Sequence, residues 1–171
     1  MTKTKKMILS AMMIALAMVL PFLTGQIPEI GSMLCPLHIP AILAGFFCGS
    51  YYGLFVGAVS PILRSMIFSM PPMMAAIPMA FEIATYGFVS GYLFNKLPKN
   101  KLNTYVALVV AMVLGRVVWG AVKLAMVGFN PSQFGWSMFI SGAFITAIPG
   151  ILLQLVLVPV LVNTLSIQKN K

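Results

Sequence analysis

The chain has 171 residues, of which 60% are hydrophobic and only 8% charged, with a mean hydropathy of +1.01. A soluble domain keeps about a quarter of its residues charged, so this chain cannot cover a water-facing surface and reads as an integral membrane protein. Its formal charge of +9 does not point to nucleic acid. Lys3, Lys5, Lys6, Lys96, Lys99, Lys101, Lys169 and Lys171 all lie in short polar segments at the ends of apolar runs. That is the distribution of cytoplasmic loops under the positive-inside bias, and no groove-reading motif accompanies it.

The lysine-rich start and the apolar run from Met7 to Leu23 could be a cleaved signal or a first helix. The run is near the lower length limit for a span, and Thr24-Gly25-Gln26-Ile27 makes a poor cleavage site, so a first helix over about 7–24 is expected. Further apolar blocks lie at about 39–68, 74–95, 104–127 and 135–166. The loop Lys96-Leu97-Pro98-Lys99-Asn100-Lys101 is basic, like both termini. If all three share the cytoplasm, Met1 to Lys96 must cross the membrane an even number of times. The 39–68 block therefore crosses twice, as a hairpin turning at Gly49-Ser50, with helices over 39–49 and 51–68. The first of these is short, and Gly45, Gly49, Gly53 and Gly57, four residues apart, let it pack closely against its neighbours. The prediction is a single all-α membrane domain over 1–171: six transmembrane helices, a short second helix, and both termini cytoplasmic. Cys35 and Cys48 fall at opposite faces and read as small buried hydrophobes. The loop from Gly25 to Leu37, with Pro28, Gly31 and Pro36, reads as a cover over an outward-facing pocket.

Ionisable groups at membrane depth are costly and mark candidate sites. They are Arg64, Glu82, Arg116 and Lys123, with His38 at a helix start. At 1.5 Å per residue, Arg64 and Lys123 lie about 6 Å below the outer helix ends, Glu82 about 12 Å and Arg116 about 16 Å. Arg116, Gly120 and Lys123 share one helix face, with Trp119 on its flank, and Glu82 shares another with Tyr86 and Ser90. Glu82 either belongs to a solute site or only pairs with Arg116 or Arg64 to lock helices together. One carboxylate cannot satisfy three cations, so the surplus suggests an anionic group on the solute and the aromatics a flat or apolar part. Arg64 and Lys123 have the alternative of snorkelling to the interface, and Arg116 is too deep for it. His38 reads equally as a helix-start cap or a solute contact. Trp119 and Tyr86 serve commonly as belt or core aromatics.

The sequence has no GxxxxGK[ST], no HExxH, no paired-cysteine motif and no aspartate. Glu29 and Glu82 are placed apart, so no metal, cofactor or enzyme activity is expected.

The segments P-L-H-I-P-A-I-L-A-G-F-F-C-G-S-Y-Y-G-L-F-V-G (Pro36 to Gly57), R-S-M-I-F-S-M-P-P-M and M-A-F-E-I-A-T-Y-G-F-V-S-G resemble the substrate-binding S components of energy-coupling factor (ECF) transporters. Small size, six helices and basic cytoplasmic ends match as well. The resemblance implies a prokaryotic plasma-membrane subunit that captures a vitamin or related micronutrient at the outer face. It further implies docking on a membrane scaffold (T) subunit driven by two ATPases, as part of an ABC-type importer. Ala11 and Ala15 match the family's AxxxA docking stripe, with Val19 at the next position. The depth and shared faces of the ionisable and aromatic residues make His38, Arg64, Glu82, Tyr86, Arg116, Trp119 and Lys123 the candidate solute contacts. The alternative from another class is a self-sufficient proton-coupled transporter in which Glu82 titrates.

Overall fold

A computed structural model describes residues 1–24, 34–98, 101–127 and 147–168. Their regular structure is helical: α1 Lys3–Val19, continued by a 3-10 turn Leu20–Thr24, α2 His38–Cys48, α3 Ser50–Phe68, α4 Met73–Lys96, α5 Lys101–Val127 and α6 Ile148–Gln168. Four stretches are long and apolar enough to cross a bilayer: Lys3–Phe22, Ser50–Phe68, Met73–Lys96 and Leu102–Val127. Two apolar helices are shorter, His38–Cys48 and Ile148–Val162. Residues 25–33 of the expected cover, 128–146 ahead of α6, and Lys99 in the basic loop lie outside the described residues.

Three of the helices end for a local reason. Pro21 has no backbone N–H and its ring crowds the preceding turn, so α1 tightens into the 3-10 segment just before it. α3 stops where Ser69 turns left-handed at φ 54°, and Pro72 begins α4, its carbonyl taking the N–H groups of Ala75 and Ala76 at 2.8 and 2.9 Å. Only Gly49 separates α2 from α3. It adopts φ 106° and ψ 169°, a backbone region open essentially to glycine alone. A Cβ there would meet only Asn95 Nδ2, at 3.9 Å, so space is not what keeps the residue small. Gly49→Ala is therefore expected to destabilise the chain by about 1–3 kcal/mol through backbone strain, read as a lowered chemical-denaturation midpoint with helix content preserved.

α2, α3 and α4 meet along a seam of glycines. A Cβ on Gly53 would fall 2.7 Å from Gly45 Cα, and one on Gly91 2.6 Å from the Gly45 carbonyl oxygen. Backbones approach this closely only where no side chain intervenes, which is how apolar helices associate when lipid is as apolar as they are. The seam fixes the register: Gly45 of α2 lies beside Gly87, and Gly57 of α3 beside Ile83. The start of α2 is thereby set about two turns before Gly87, level with Glu82, in the middle of the bundle.

At 11 residues α2 is about 16 Å long, roughly half the hydrocarbon thickness. Cys35, Pro36 and Leu37 ahead of it are buried, so the chain reaches the middle of the bundle before becoming helical. The core gathers Met13, Ile42, Phe46, Val56, Ile83, Leu108, Met112, Val158 and Val162. Large apolar side chains also cover the outside: Met7, Ile8, Met12, Leu16 and Val19 on α1, and Val109, Val113, Leu114 and Val117 on α5. Two continuous apolar outer faces suit a lipid solvent and not water.

Candidate functional site

Glu82 collects the polar groups at the bundle's centre. It is 2% exposed, on the inward face of α4. Its Oε1 lies 3.0 Å from Arg116 Nη1 on α5, accepts a hydrogen bond from the Tyr86 hydroxyl at 3.1 Å, and lies 3.5 Å from His38 Nε2 at the start of α2. Glu82 and Tyr86 are one helical turn apart, so α4 itself aligns them. His38 joins because the glycine seam brings the first turn of α2 to this depth. Its ring lies 5.1 Å from that of Tyr86, tilted by 53°.

Arg116 reaches Glu82 from the facing helix. Gly115, just before it, makes room: a Cβ there would collide with the Tyr86 ring and sit 3.0 Å from the Glu82 carbonyl oxygen. Arg116 Nη2 also points to Cys35 Sγ at 3.9 Å. The guanidinium thus ties the buried segment ahead of α2 to the carboxylate on α4. A buried ion pair offsets part of a desolvation cost that neither charge could bear alone.

Some polar atoms here are left over. His38 Nδ1 and Nε2 and Arg116 Nε are buried and have no hydrogen-bond partner among the described residues. Gln154 Oε1 is in the same condition on α6, in the inward stripe Gln154, Val158 and Val162 of a helix that packs on α2 and α5. Buried polar atoms are nearly always satisfied, so such a group in a membrane core calls for an explanation.

The seven candidate solute contacts divide into three places. His38, Glu82, Tyr86 and Arg116 come together. Arg64, 1% exposed, is elsewhere: its Nη1 donates at 2.6 Å to the carbonyl of Met18, and Phe22 and Phe68 flank its guanidinium with ring centres at 5.3 and 5.1 Å. The Met18 carbonyl is in the last turn of α1, three residues before Pro21, which has no N–H to offer it. Arg64 therefore completes a helix end, with the favourable sign of charge for a C-terminus. Lys123 lies over the Trp119 ring at 5.0 Å, further along α5.

The sequence reading passed over three residues of the site region. Cys35 counted as a small hydrophobe, although it stands one turn from His38. Gly115 drew no notice beside Arg116. Gln154 is a lone polar residue in the run Ile151-Leu152-Leu153-Gln154-Leu155-Val156, and that isolation was the available signal.

Fold and site define a polytopic all-helical membrane protein with a charged, hydrogen-bonded cluster enclosed at its centre. The family described as ECF transporter, substrate-specific component, matches residues 5–162, and the chain belongs to that family. Its members are transporter subunits and not enzymes. No curated protein and no solved structure gives a significant match.

Proposed function

We propose that this chain captures a vitamin or related micronutrient at the outer face of a prokaryotic plasma membrane and passes it inward by docking on a T subunit driven by two ATPases. The observation that carries the proposal is the Glu82–Arg116–Tyr86–His38 cluster, enclosed by three helices and the segment ahead of α2. Polar groups are kept at such depth for a solute or an ion pathway. In this reading the lysine-bearing end, with Lys3, Lys5, Lys6 and Lys96, faces the cytoplasm. The start of α2 then opens toward the outside, and the whole chain acts as one membrane domain.

Docking is supported by α1. It is the least enclosed of the four long helices, with 22% of its apolar window buried against 39–44% in the others. Ala11 and Ala15 lie on its exposed face, where small side chains one turn apart leave a smooth strip for a partner helix. Glu82 is engaged by a permanently charged guanidinium, an arrangement that suits a fixed site better than a carboxylate that cycles its proton.

The test is uptake by the chain alone and with a coupling module. Solute binding by the isolated chain, with ATP-dependent uptake only in the complex, is expected; uptake by the chain alone that stops when the proton gradient collapses would refute the reading. Ala15→Trp should leave solute affinity unchanged and lower uptake in the complex by at least about tenfold, because a bulky ring holds helices apart where close approach is needed.

A further inference from the structure

The charge on the solute can be read from how the cluster's own charges are spent. This inference rests on the Glu82 cluster being the capture site. The sequence alone suggests an anionic solute, from the surplus of cations in the outer half. The structure distributes those cations differently. Arg116 is matched by Glu82 at 3.0 Å. Arg64 is held on the Met18 carbonyl between two phenylalanine rings, and Lys123 lies over Trp119. The cluster itself therefore carries one negative and one positive group. An added carboxylate would be buried beside Glu82 with no further cation placed against it among the described residues, and like charges set together in a desolvated site are strongly disfavoured.

What the cluster does leave open is hydrogen bonding. His38 Nε2 faces Glu82 Oε1 at 3.5 Å, which leaves His38 Nδ1, buried and without a hydrogen-bond partner among the described residues, as the ring nitrogen open to a solute. Arg116 Nε is a donor in the same condition, on the guanidinium whose Nη1 meets the same carboxylate oxygen. These atoms ask for a partner with an acceptor and a donor side by side. The Tyr86 ring, beside that of His38, supplies a flat apolar wall.

We infer that the solute carries no net charge and presents a lactam or carboxamide edge on a flat ring, its carbonyl facing Arg116 Nε and its N–H facing His38 Nδ1. Two pairs of probes isolate the charge: nicotinamide against nicotinate, and uracil against orotate. Binding is measured by calorimetry on the purified chain in nanodiscs. The neutral member of at least one pair should bind at least about tenfold tighter than its carboxylate counterpart. Glu82→Gln leaves Arg116 unmatched and should turn that preference toward the carboxylate. The double variant Glu82→Gln/Arg116→Gln removes both charges together and should restore preference for the neutral compound; it also serves where the single variant does not fold.

Failure of both neutral probes to bind, or tighter binding of nicotinate or orotate to the unaltered chain, overturns the inference. In the latter case, loss of that binding in Arg116→Gln keeps the cluster as the capture site while its assigned charge class falls. Binding that is equal in all variants removes the cluster as the site.

Discussion

Replacing Arg116 by alanine should weaken solute binding far more than Lys101→Ala does and lower the unfolding free energy by about 3–5 kcal/mol, the usual cost of stranding one member of a buried ion pair. Three losses coincide at this position. Glu82, 2% exposed, is left with an unmatched negative charge between helices. The contact from Arg116 Nη2 to Cys35 Sγ goes, freeing the segment that leads into α2. The site also loses the donor at Nε, which has no partner within the described residues. Lys101→Ala, at the start of α5, is the control and should change neither property. The double variant Glu82→Gln/Arg116→Gln distinguishes architecture from recognition: it removes both charges, so most of the stability should return while solute affinity stays low. Denaturant titration of the purified chain gives the first quantity and calorimetry the second. Equal solute affinity in Arg116→Ala and Lys101→Ala would remove Arg116 from the site.

The all-helical membrane character and the short second helix were legible because both follow from quantities a sequence displays. An apolar block of 30 residues within the stretch between Lys6 and Lys96 has too much length for one span and too little for two, and glycines every fourth residue supply the means of packing a half-length helix. Position along each helix was also legible, since it is a count of residues at about 1.5 Å each. Rotation between helices was not. Arg64, Glu82, Arg116 and Lys123 all fall at mid-membrane or in the outer half by that count, yet only Glu82 and Arg116 face one another. Arg64 turns toward α1, where the Met18 carbonyl faces a proline and needs a donor. That need arises from Pro21, a residue more than forty positions away, and no periodicity within α3 announces it. His38 was legible as a residue at a helix start, but not as one at mid-bundle. Its depth is set by the seam that holds Gly45 against Gly87, a pairing between segments that neither segment states alone.

Gly87→Leu should be the most damaging single substitution along that seam, costing more than about 3 kcal/mol and leaving little folded chain to purify. A Cβ at Gly87 already runs into the backbone of Gly53 and sits 2.9 Å from its Cα. Backbone cannot rotate aside as a flexible side chain can, so α3 and α4 must move apart along their whole length. The neighbouring approaches are then lost together, because Gly57 packs on Ile83 and Gly91 on the α2–α3 junction at Ser50 in the same seam. Gly49→Ala provides the contrast, since it adds the same kind of atom where there is room and strains only one residue's backbone. The two should separate in size-exclusion profiles: a monodisperse peak with a modestly lowered melting temperature for Gly49→Ala, and aggregate for Gly87→Leu. Gly87→Ala tests the step to function. Gly87 follows Tyr86 directly and stands five residues beyond Glu82 on the same helix. Any outward shift of α4 therefore carries the carboxylate away from His38 on α2, while Arg116, on α5, is less affected. Solute affinity in Gly87→Ala should fall by at least about tenfold even in material that still elutes as folded protein. Unchanged affinity in that material would mean that His38 is not held in place by the seam.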